Sequence, residues 1–332
     1  MDKKVLNFGI VGAGMIADFH AKAIGSLSNA TLLGVCDKNP ENAEKFAQKY
    51  NICAYADFEE MLKSENVDAV CICTPSGFHK ENAIAALNAK KHVVLEKPMA
   101  FTLEESNEII AAAKQNGKLI TVISQLRFSE DVNRLKKLIS EDSFGKIVFA
   151  DLYMKYWRSE NYYSQSDWKG TRRFDGGGAL MNQGIHGVDI LLYLMGNARV
   201  LHSKNKTAYH NIEVEDQSVS MIEFDCGALG VIEASTCAFP GFERKIEIIG
   251  SNGCAVLKEN RLEKLVINGK EEEICKNTET SKTASDPSAF DYNLHSLQLS
   301  NFIGAVFNEN ELLIDGTEGS RAVALIEEIY KN

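Results

Sequence analysis

The sequence has no long apolar run, and this absence excludes a class of protein. No stretch approaches the ~20 consecutive apolar residues that a membrane-spanning helix needs. Lys3 and Lys4 precede a shorter apolar stretch that superficially resembles a signal peptide, but Asp18 and His20 interrupt it. We therefore expect neither a membrane partner nor a cleaved leader.

Paired cysteines and an excess of positive charge are also missing. The eight cysteines include no Cys-x-x-Cys pair, so the common spacing of metal and redox sites is absent. Acidic residues number 46 against 36 basic ones, and a formal net charge of -10 disfavours a nucleic-acid backbone as partner. We expect reduced thiols, a cytoplasmic location, no bound metal and no nucleic acid.

The order of predicted elements divides the chain into two domains. Strands and helices alternate over residues 1–124, which predicts an α/β domain with a doubly wound parallel sheet, a Rossmann fold. After Lys146 the apolar positions alternate, and Ser251-Asn252-Gly253 and Asn268-Gly269 are typical of hairpin turns. Residues 125–332 are therefore predicted to form an α+β domain with a large, mainly antiparallel open sheet.

The second domain is also predicted to contain helices. We place them at Gly178–Met195, Tyr292–Phe307 and Glu318–Tyr330 from their apolar spacing. The segment Lys276–Ser288 is rich in serine, threonine and lysine, and this composition predicts a mobile surface loop.

A glycine-rich turn near the start of the chain predicts a dinucleotide site. Residues 5–17 have the pattern of a strand, a tight turn and a helix start in succession. Gly12 permits the tight turn, and Gly14 lets the backbone approach a pyrophosphate. The amide groups of Met15 and Ile16 lie where a helix N-terminus binds phosphate. A glycine turn that binds no nucleotide is the alternative.

The acidic residue expected for such a site follows at the right distance. The next predicted strand ends at Asp37, roughly 20 residues further on, where a carboxylate can bind the ribose 2′-hydroxyl of NAD. The same carboxylate would repel the 2′-phosphate of NADP, although the neighbouring Lys38 leaves NADP possible as a cofactor. We predict NAD.

Three segments follow predicted parallel strands at the edge where such sheets bind ligands. They are Thr74-Pro75-Ser76, Glu96-Lys97-Pro98 and Gln125-Leu126-Arg127. Lys97 is the strongest candidate among them, because a lysine directly before proline lies on a rigid turn. The alternative for Lys97 is an ordinary surface position.

A second group of candidates follows the glycines at 176–178. On a regular helix Asn182, His186 and Asp189 fall at i, i+4 and i+7, so they share one stripe. Such a stripe suits a ligand site or a buried hydrogen-bond network. The three glycines predict that another backbone or ligand approaches closely.

Aromatic and cationic residues precede these glycines. Tyr156, Arg158 and Trp168 suit a sugar face and an anionic group, because arginine can bind carboxylate or phosphate with two hydrogen bonds. A sheet edge or a dimer contact would have the same composition. Near the end of the chain, Tyr292 and His295 form part of a further helical stripe and are candidate substrate contacts.

Taken together, these motifs resemble the glucose–fructose oxidoreductase / inositol dehydrogenase / MocA family over essentially the whole chain. The matching residues are Gly12–Ala17, Thr74-Pro75 with His79, Glu96-Lys97-Pro98, Arg127-Phe128, and the Gly-Gly-Gly helix with His186 and Asp189. The resemblance implies a cofactor domain that includes His79 and an open-sheet domain that forms homodimers or homotetramers. It also implies NAD(P)-linked oxidation or reduction of a sugar or polyol carbon, with Lys97 and His186 at the reacting hydroxyl.

Asn182 departs from the pattern of this family. Many of its dehydrogenases have aspartate there, whereas asparagine resembles the branch that acts on nucleotide-linked amino-sugar uronates. An amide cannot accept a proton near neutral pH, so Asn182 can orient a substrate but cannot be the base.

The predicted reaction is hydride transfer between nicotinamide and a hydroxyl-bearing carbon of a sugar, polyol or nucleotide-linked sugar. We assign the proton transfer to His186, since an imidazole titrates near pH ~6.5, and charge stabilisation to Lys97. The reverse assignment, with Lys97 as base, stays open. Two other functions compete: an NAD-dependent glycoside hydrolase that oxidises the sugar transiently, and a non-catalytic NAD-binding regulator.

Overall fold

The structure is a computed structural model that describes residues 4–274 and 292–332. The chain forms two compact units, one from the described parts of Met1–Gln125 and Asp291–Ser320, the other from those of Leu126–Phe290 and Arg321–Asn332. The predicted loop Lys276–Ser288 lies outside the described residues. Within the described ranges, no helix has both the length and the apolar character needed to cross a bilayer.

The first unit contains the predicted parallel sheet, whose strands alternate with helices. In the described chain its strand order is β3-β2-β1-β4-β5-β6, and the order reverses beside β1, where doubly wound sheets bind ligands. The strands are β1 (Leu6–Val11), β2 (Ala30–Cys36), β3 (Cys53–Ala54), β4 (Ala69–Ile72), β5 (His92–Leu95) and β6 (Ile120–Val122). The helices are α1 (Met15–Gly25), α2 (Pro40–Tyr50), α3 (Phe58–Lys63), α4 (His79–Asn88) and α5 (Leu103–Asn116).

Side-chain caps set where several of these helices begin. Asn39 accepts a hydrogen bond from the amide of Glu41, and Thr102 accepts one from the amide of Glu105. Such caps satisfy amide groups that have no partner within the helix. The strands run parallel, so their carboxyl ends lie at one edge of the sheet.

The second unit contains a sheet of antiparallel neighbours with one parallel pair, β7 and β10. Among the described residues its order is β14-β13-β12-β11-β7-β10-β9-β8. The strands are β7 (Ile147–Lys155), β8 (Ala198–Lys206), β9 (Gln217–Phe224), β10 (Leu229–Ser235), β11 (Lys245–Gly250), β12 (Gly253–Lys258), β13 (Arg261–Ile267) and β14 (Lys270–Glu271). Its helices include α6 (Glu130–Ser140), α7 (Glu160–Ser164) and α8 (Ile185–Met195). The predicted fold class is confirmed.

The helix predicted at Gly178–Met195 differs in its first part. Ala179–Gly184 is a π-helical segment, and only from Ile185 does the regular helix α8 begin. A π-helix has wider turns than the 3.6-residue spacing of an α-helix. The spacing that placed Asn182 on one stripe with His186 and Asp189 therefore does not apply.

The last two helices are α9 (Asn293–Val306) and α10 (Gly316–Lys331). Helix α9 belongs to the first unit, whereas the prediction placed all of residues 125–332 in the second domain. The physical reason is its apolar face: Leu299, Phe302 and Ile303 are fully buried in the same core as Phe8 and Ile10 of β1. Burial of such side chains is the main stabilising contribution available to a surface helix.

Candidate functional site

The glycine turn of the first unit has the geometry that a dinucleotide needs. Gly12 has a φ of +91°, and a Cβ at this position would lie 2.7 Å from the carbonyl oxygen of Cys73. Only glycine fits both restrictions. A Cβ on Gly14 would meet no atom within 4 Å, so the backbone before α1 faces open space. The residues present fit a pyrophosphate at this helix N-terminus.

Asp37 is tied to this turn by its carboxylate. One oxygen accepts a hydrogen bond from the amide of Ala13 at 2.8 Å, and the other accepts one from the amide of Asn39 at 2.8 Å. The acidic group thus lies beside the glycine turn, as the ribose-binding role requires. Lys38 is exposed next to it.

His79 connects two of the strand-end segments. Its Nδ1 atom lies 2.7 Å from the carbonyl oxygen of Pro98, and its Nε2 atom lies 3.0 Å from that of Thr74. The side chain is buried, and this burial lowers the pKa of His79. The ring therefore fixes these two loops in position, and the cofactor contact of His79 stays a prediction.

Glu96 forms a buried ion pair directly before Lys97. Its Oε1 atom lies 2.8 Å from Nε2 of His20, and its Oε2 atom accepts the amide hydrogen of Lys97 at 3.3 Å. Burial raises the pKa of Glu96, but the hydrogen bond and charge of His20 outweigh that effect and lower it to about 2. The carboxylate therefore fixes the backbone that carries Lys97.

His20 was not predicted as a site residue, whereas His295 was predicted to contact the substrate. Burial opposes a charged ring at His20, yet Cys73, Cys71 and the adjoining carboxylate raise its pKa well above the ordinary value. The ring of His295 lies 5.6 Å from that of His20, edge to face. Ligand atoms of His20, Glu96 and His295 lie within 4.8 Å of one another, a spacing that a metal ion would also accept, although we predicted none.

The stripe predicted on the last part of the chain lies within the first unit. His295 is buried there and Tyr292 packs at the edge of the core, and the substrate contacts of both stay predictions. Gln298 accepts the amide hydrogen of Ser124 at 3.0 Å and donates to Thr121 and Val122. These bonds fix the end of β6, immediately before the buried Gln125.

In the second unit, two of the three glycines, Gly177 and Gly178, allow Tyr330 and Glu215 to approach the π-helical segment. A Cβ on Gly178 would lie 1.8 Å from the carbonyl oxygen of Glu215, and one on Gly177 would lie 2.4 Å from the hydroxyl of Tyr330. The Glu215 carboxylate accepts amide hydrogens of Gly178 at 2.9 Å and Leu180 at 2.8 Å. The predicted close approach to the glycines is confirmed, and the approaching atoms belong to the protein.

Asp189 lies at the opposite end of this region in a buried ion pair. Both of its oxygens accept hydrogen bonds from Arg127, at 2.9 and 2.7 Å. The two side chains are 6% and 5% exposed, so the pair is shielded from water. This pairing anchors α8, and the substrate contact of Asp189 stays a prediction.

Asn182, Gln183 and His186 are the half-buried polar residues of this segment. Asn182 donates to Asp175 and accepts from Gln183 at 3.1 Å, while the Gln183 carbonyl accepts from Arg158 at 2.8 Å. Asp175 and Gln183 were missed in the sequence analysis. Asp175 directly precedes the glycines, which is the local signal that would have marked it.

The aromatic and cationic candidates divide into two groups. The Tyr156 hydroxyl is buried and donates to Glu259 at 3.2 Å, and its substrate contact stays a prediction. The Arg158 guanidinium lies 5.6 Å from the ring centre of Tyr162, and the Lys169 ammonium lies 4.1 Å from it. Burial lowers the pKa of Lys169, and Trp168 beside it is half-buried. Two cations and an aromatic ring are thus concentrated beside Gln183.

The sequence matches known proteins along most of its length. Residues 6–124 match an oxidoreductase family with an NAD-binding Rossmann fold, and residues 132–256 match the GFO/IDH/MocA C-terminal domain. D-glucoside 3-dehydrogenase from Escherichia coli is 30% identical over 256 residues, or 71% of each chain. Levoglucosan dehydrogenase from Pseudarthrobacter phenanthrenivorans is 30% identical over 297 residues, covering 79% of this chain and 76% of that protein.

A solved structure matches the whole chain. The WlbA dehydrogenase from Bordetella pertussis, crystallised in complex with NADH and UDP-GlcNAcA, has a TM-score of 0.89 and 30% identity to this chain. The match covers 100% of this chain and 96% of that one.

Proposed function

The chain belongs to the Gfo/Idh/MocA family of NAD(P)-dependent oxidoreductases, and we propose that its substrate is a nucleotide-linked amino-sugar uronate. The family reaction transfers a hydride between nicotinamide and a CH–OH carbon of a sugar, a polyol or a nucleotide-linked sugar. The observation that carries the narrower proposal is the whole-chain similarity to a dehydrogenase crystallised with UDP-GlcNAcA. A levoglucosan dehydrogenase structure also covers 99% of this chain, but at 23% identity and a TM-score of 0.86, so the proposal rests on the higher identity of the first structure, 30%.

We assign the cofactor site to the first unit. Bound NAD would supply the acceptor or donor of the hydride. The residues proposed to bind it are Gly12, Gly14, Met15, Ile16, Asp37, Lys38, Thr74, Pro75, Ser76, His79, Glu96, Lys97 and Gln125. The amide groups before α1 bind the pyrophosphate, and Asp37 receives the ribose hydroxyls.

Two side chains act on the reacting hydroxyl. His186 accepts its proton during oxidation and returns one during reduction. The ammonium group of Lys97 stabilises the negative charge that develops on the oxygen. Asn182 orients the hydroxyl through hydrogen bonds, since an amide has no proton-accepting role at neutral pH.

The anionic parts of the proposed substrate have matching groups in the second unit. The guanidinium of Arg158 and the ammonium of Lys169 lie over the ring of Tyr162, at 5.6 and 4.1 Å. Together with Trp168 they offer a planar donor, a point charge and apolar ring surface, which suit a carboxylate or phosphate attached to a sugar. Tyr292 remains a secondary candidate for substrate contact.

A substrate panel tests this assignment. We expect net NADH formation with NAD and a UDP-linked amino-sugar uronate, and a kcat/KM at least ~10²-fold lower for the same sugar without its carboxylate, because charged partners would stay unpaired. UDP alone is the control for binding without turnover. Equal rates with free inositol or glucosides would contradict the substrate class. Glycoside cleavage without NADH would reinstate the hydrolase alternative, which the named relatives do not favour.

The outer face of the second sheet supports a proposal of self-association. Val219 and Met221 are each 50% exposed, and Phe149 and Leu229 are 47% and 42% exposed. Strand pairing places Leu229 opposite Phe149 and Met221 opposite Val231, so these apolar side chains share one face. Contiguous apolar surface of this kind marks an interface, and we propose a second copy of the chain as its partner, in a homodimer or homotetramer.

We expect Met221→Arg to lower the molar mass measured by light scattering to that of a smaller assembly, because a buried unpaired charge opposes association. Gln217→Arg, at an exposed polar position of the same strand, is the matched control. An unchanged mass in Met221→Arg would exclude this face as the interface.

We also propose a cytoplasmic location. All seven cysteines in the described residues are free, and Cys36, Cys71 and Cys73 among them are buried. Free thiols of this number are usual where the compartment keeps cysteines reduced.

A further inference from the structure

We propose that Asp175 is a positioning residue, which sets the orientation of Asn182, Gln183 and Arg158 for substrate. The inference rests on the proposed function, because it gives Asn182 and Arg158 their substrate roles. It concerns how the chain compensates for the missing carboxylate at position 182. A carboxylate lies instead at position 175, in hydrogen-bond contact with the Asn182 amide.

The four side chains form a chain of hydrogen bonds with a single direction. Asn182 donates its Nδ2 hydrogen to Asp175, Gln183 donates its Nε2 hydrogen to Asn182 at 3.1 Å, and Arg158 donates to the Gln183 carbonyl at 2.8 Å. A carboxylate only accepts hydrogen bonds, and a guanidinium only donates them. The charged ends therefore determine which way each amide between them points.

Asp175 is itself rigidly placed. It is 2% exposed, its second oxygen accepts the amide hydrogen of Gly170 at 2.8 Å, and its own amide donates to Thr171 at 3.0 Å. Gly170 and Gly176 have φ values of +73° and +75°, in the region that favours glycine. The carboxylate is thus a fixed end from which the direction of the hydrogen-bond chain is set.

Positions 175 and 182 form a matched pair of one carboxylate and one amide. An aspartate at 182 would face Asp175 directly, and two carboxylates in contact cannot both ionise without a large cost. Asparagine at 182 avoids this cost beside Asp175. Exchanging the two residues would keep the net charge and leave one carboxylate facing one amide.

The test is this exchange. We expect Asp175→Asn and Asn182→Asp each to lower kcat/KM for the UDP-linked uronate by about 10–10²-fold, because each leaves a buried polar group mismatched. The double variant Asp175→Asn/Asn182→Asp should recover kcat/KM to within about tenfold of the wild-type value. If the two substitutions acted independently, their reductions of kcat/KM would multiply instead. Asp167→Asn, at an exposed position of the same loop, is the control and should behave as wild type.

Two further readouts separate positioning from a general loss of structure. The pH profile of kcat/KM for Asn182→Asp should show an additional ionisation whose pKa lies above the ordinary range of aspartate. The double variant should lack this ionisation. Affinity for NADH should be unchanged throughout. Effects of the single variants that multiply in the double variant would overturn the proposal.

Denaturant unfolding makes the test independent of the substrate assignment. Both single variants should have lower unfolding midpoints, and the double variant should regain most of the loss. If no panel compound is turned over, this rescue still establishes the contact, and the proposed function alone fails. If the midpoint is rescued but activity on an identified substrate is not, the contact is structural and Asp175 has no positioning role.

Discussion

Replacing Lys97 or His186 with alanine should lower turnover by about 10²–10⁴-fold, the range expected when acid–base or electrostatic assistance is removed. Affinity for NADH should remain close to that of wild type, because the glycine turn and Asp37 provide the main cofactor contacts that we propose. The measurements are kcat under saturating substrate and Kd for NADH by titration. Normal turnover in either variant would remove that residue from the chemical step.

The pH profile distinguishes the two roles. If His186 accepts the proton, kcat/KM for oxidation should fall at acid pH with an inflection in the imidazole range, near pH ~6.5, provided chemistry limits the rate. This limb should be lost in His186→Ala and kept in Lys97→Ala. An acid limb that survives in His186→Ala would assign the base to Lys97 instead.

Replacing His20 with leucine should lower the free energy of unfolding by about 3–5 kcal/mol, the usual cost of breaking a buried ion pair and leaving one charge uncompensated. The charge left behind is Glu96, which is 6% exposed and lies next to Lys97. His20→Gln is the matched control, because its amide can still donate to the carboxylate and the loss should be smaller. Guanidinium unfolding near pH 6 provides the measurement.

The same pair makes the effect depend on pH. The lowered pKa of Glu96, about 2 against an ordinary 4.5, stabilises the fold above pH 4.5, and this contribution is lost as the pH falls towards 2. The raised pKa of His20 stabilises the fold below 6.5 and loses its effect as the pH rises through the folded-state value. The pair contributes most to the stability of the fold between pH 4.5 and pH 6.5. If His20→Leu lowered the free energy of unfolding as much at about pH 3 as at pH 6, the loss would come from packing and not from the ion pair.

The parts of the molecule that could be predicted from sequence have their determinants close together in the chain. Gly12, Gly14 and the strand before them lie within a dozen residues, and Asp37 follows at a fixed distance set by one helix and one strand. Alternating strands and helices define the parallel sheet in the same local way. These features are recoverable because the local sequence specifies both the backbone and the chemistry.

The contacts that were missed join residues far apart. Glu215 caps the segment after Gly178, and Asp189 pairs with Arg127, yet a single sequence contains no record of which distant charges meet. The π-helical turn at Asn182 was missed for another reason. Apolar spacing over six residues does not distinguish 3.6 residues per turn from a wider turn, because packing against Glu215 and Tyr330 decides between them.

Strand β7 lies in the middle of the second sheet, between β10 and β11, although the chain reaches both of these only after α8, β8 and β9. The central pairings therefore close long loops, and loop closure of this length is slow because its entropy is lost before the contacts form. The helix that carries His186 lies inside the loop between β7 and β10. We therefore expect its surroundings to be completed late in folding, so that the base we propose would reach its final position only as the whole sheet assembles.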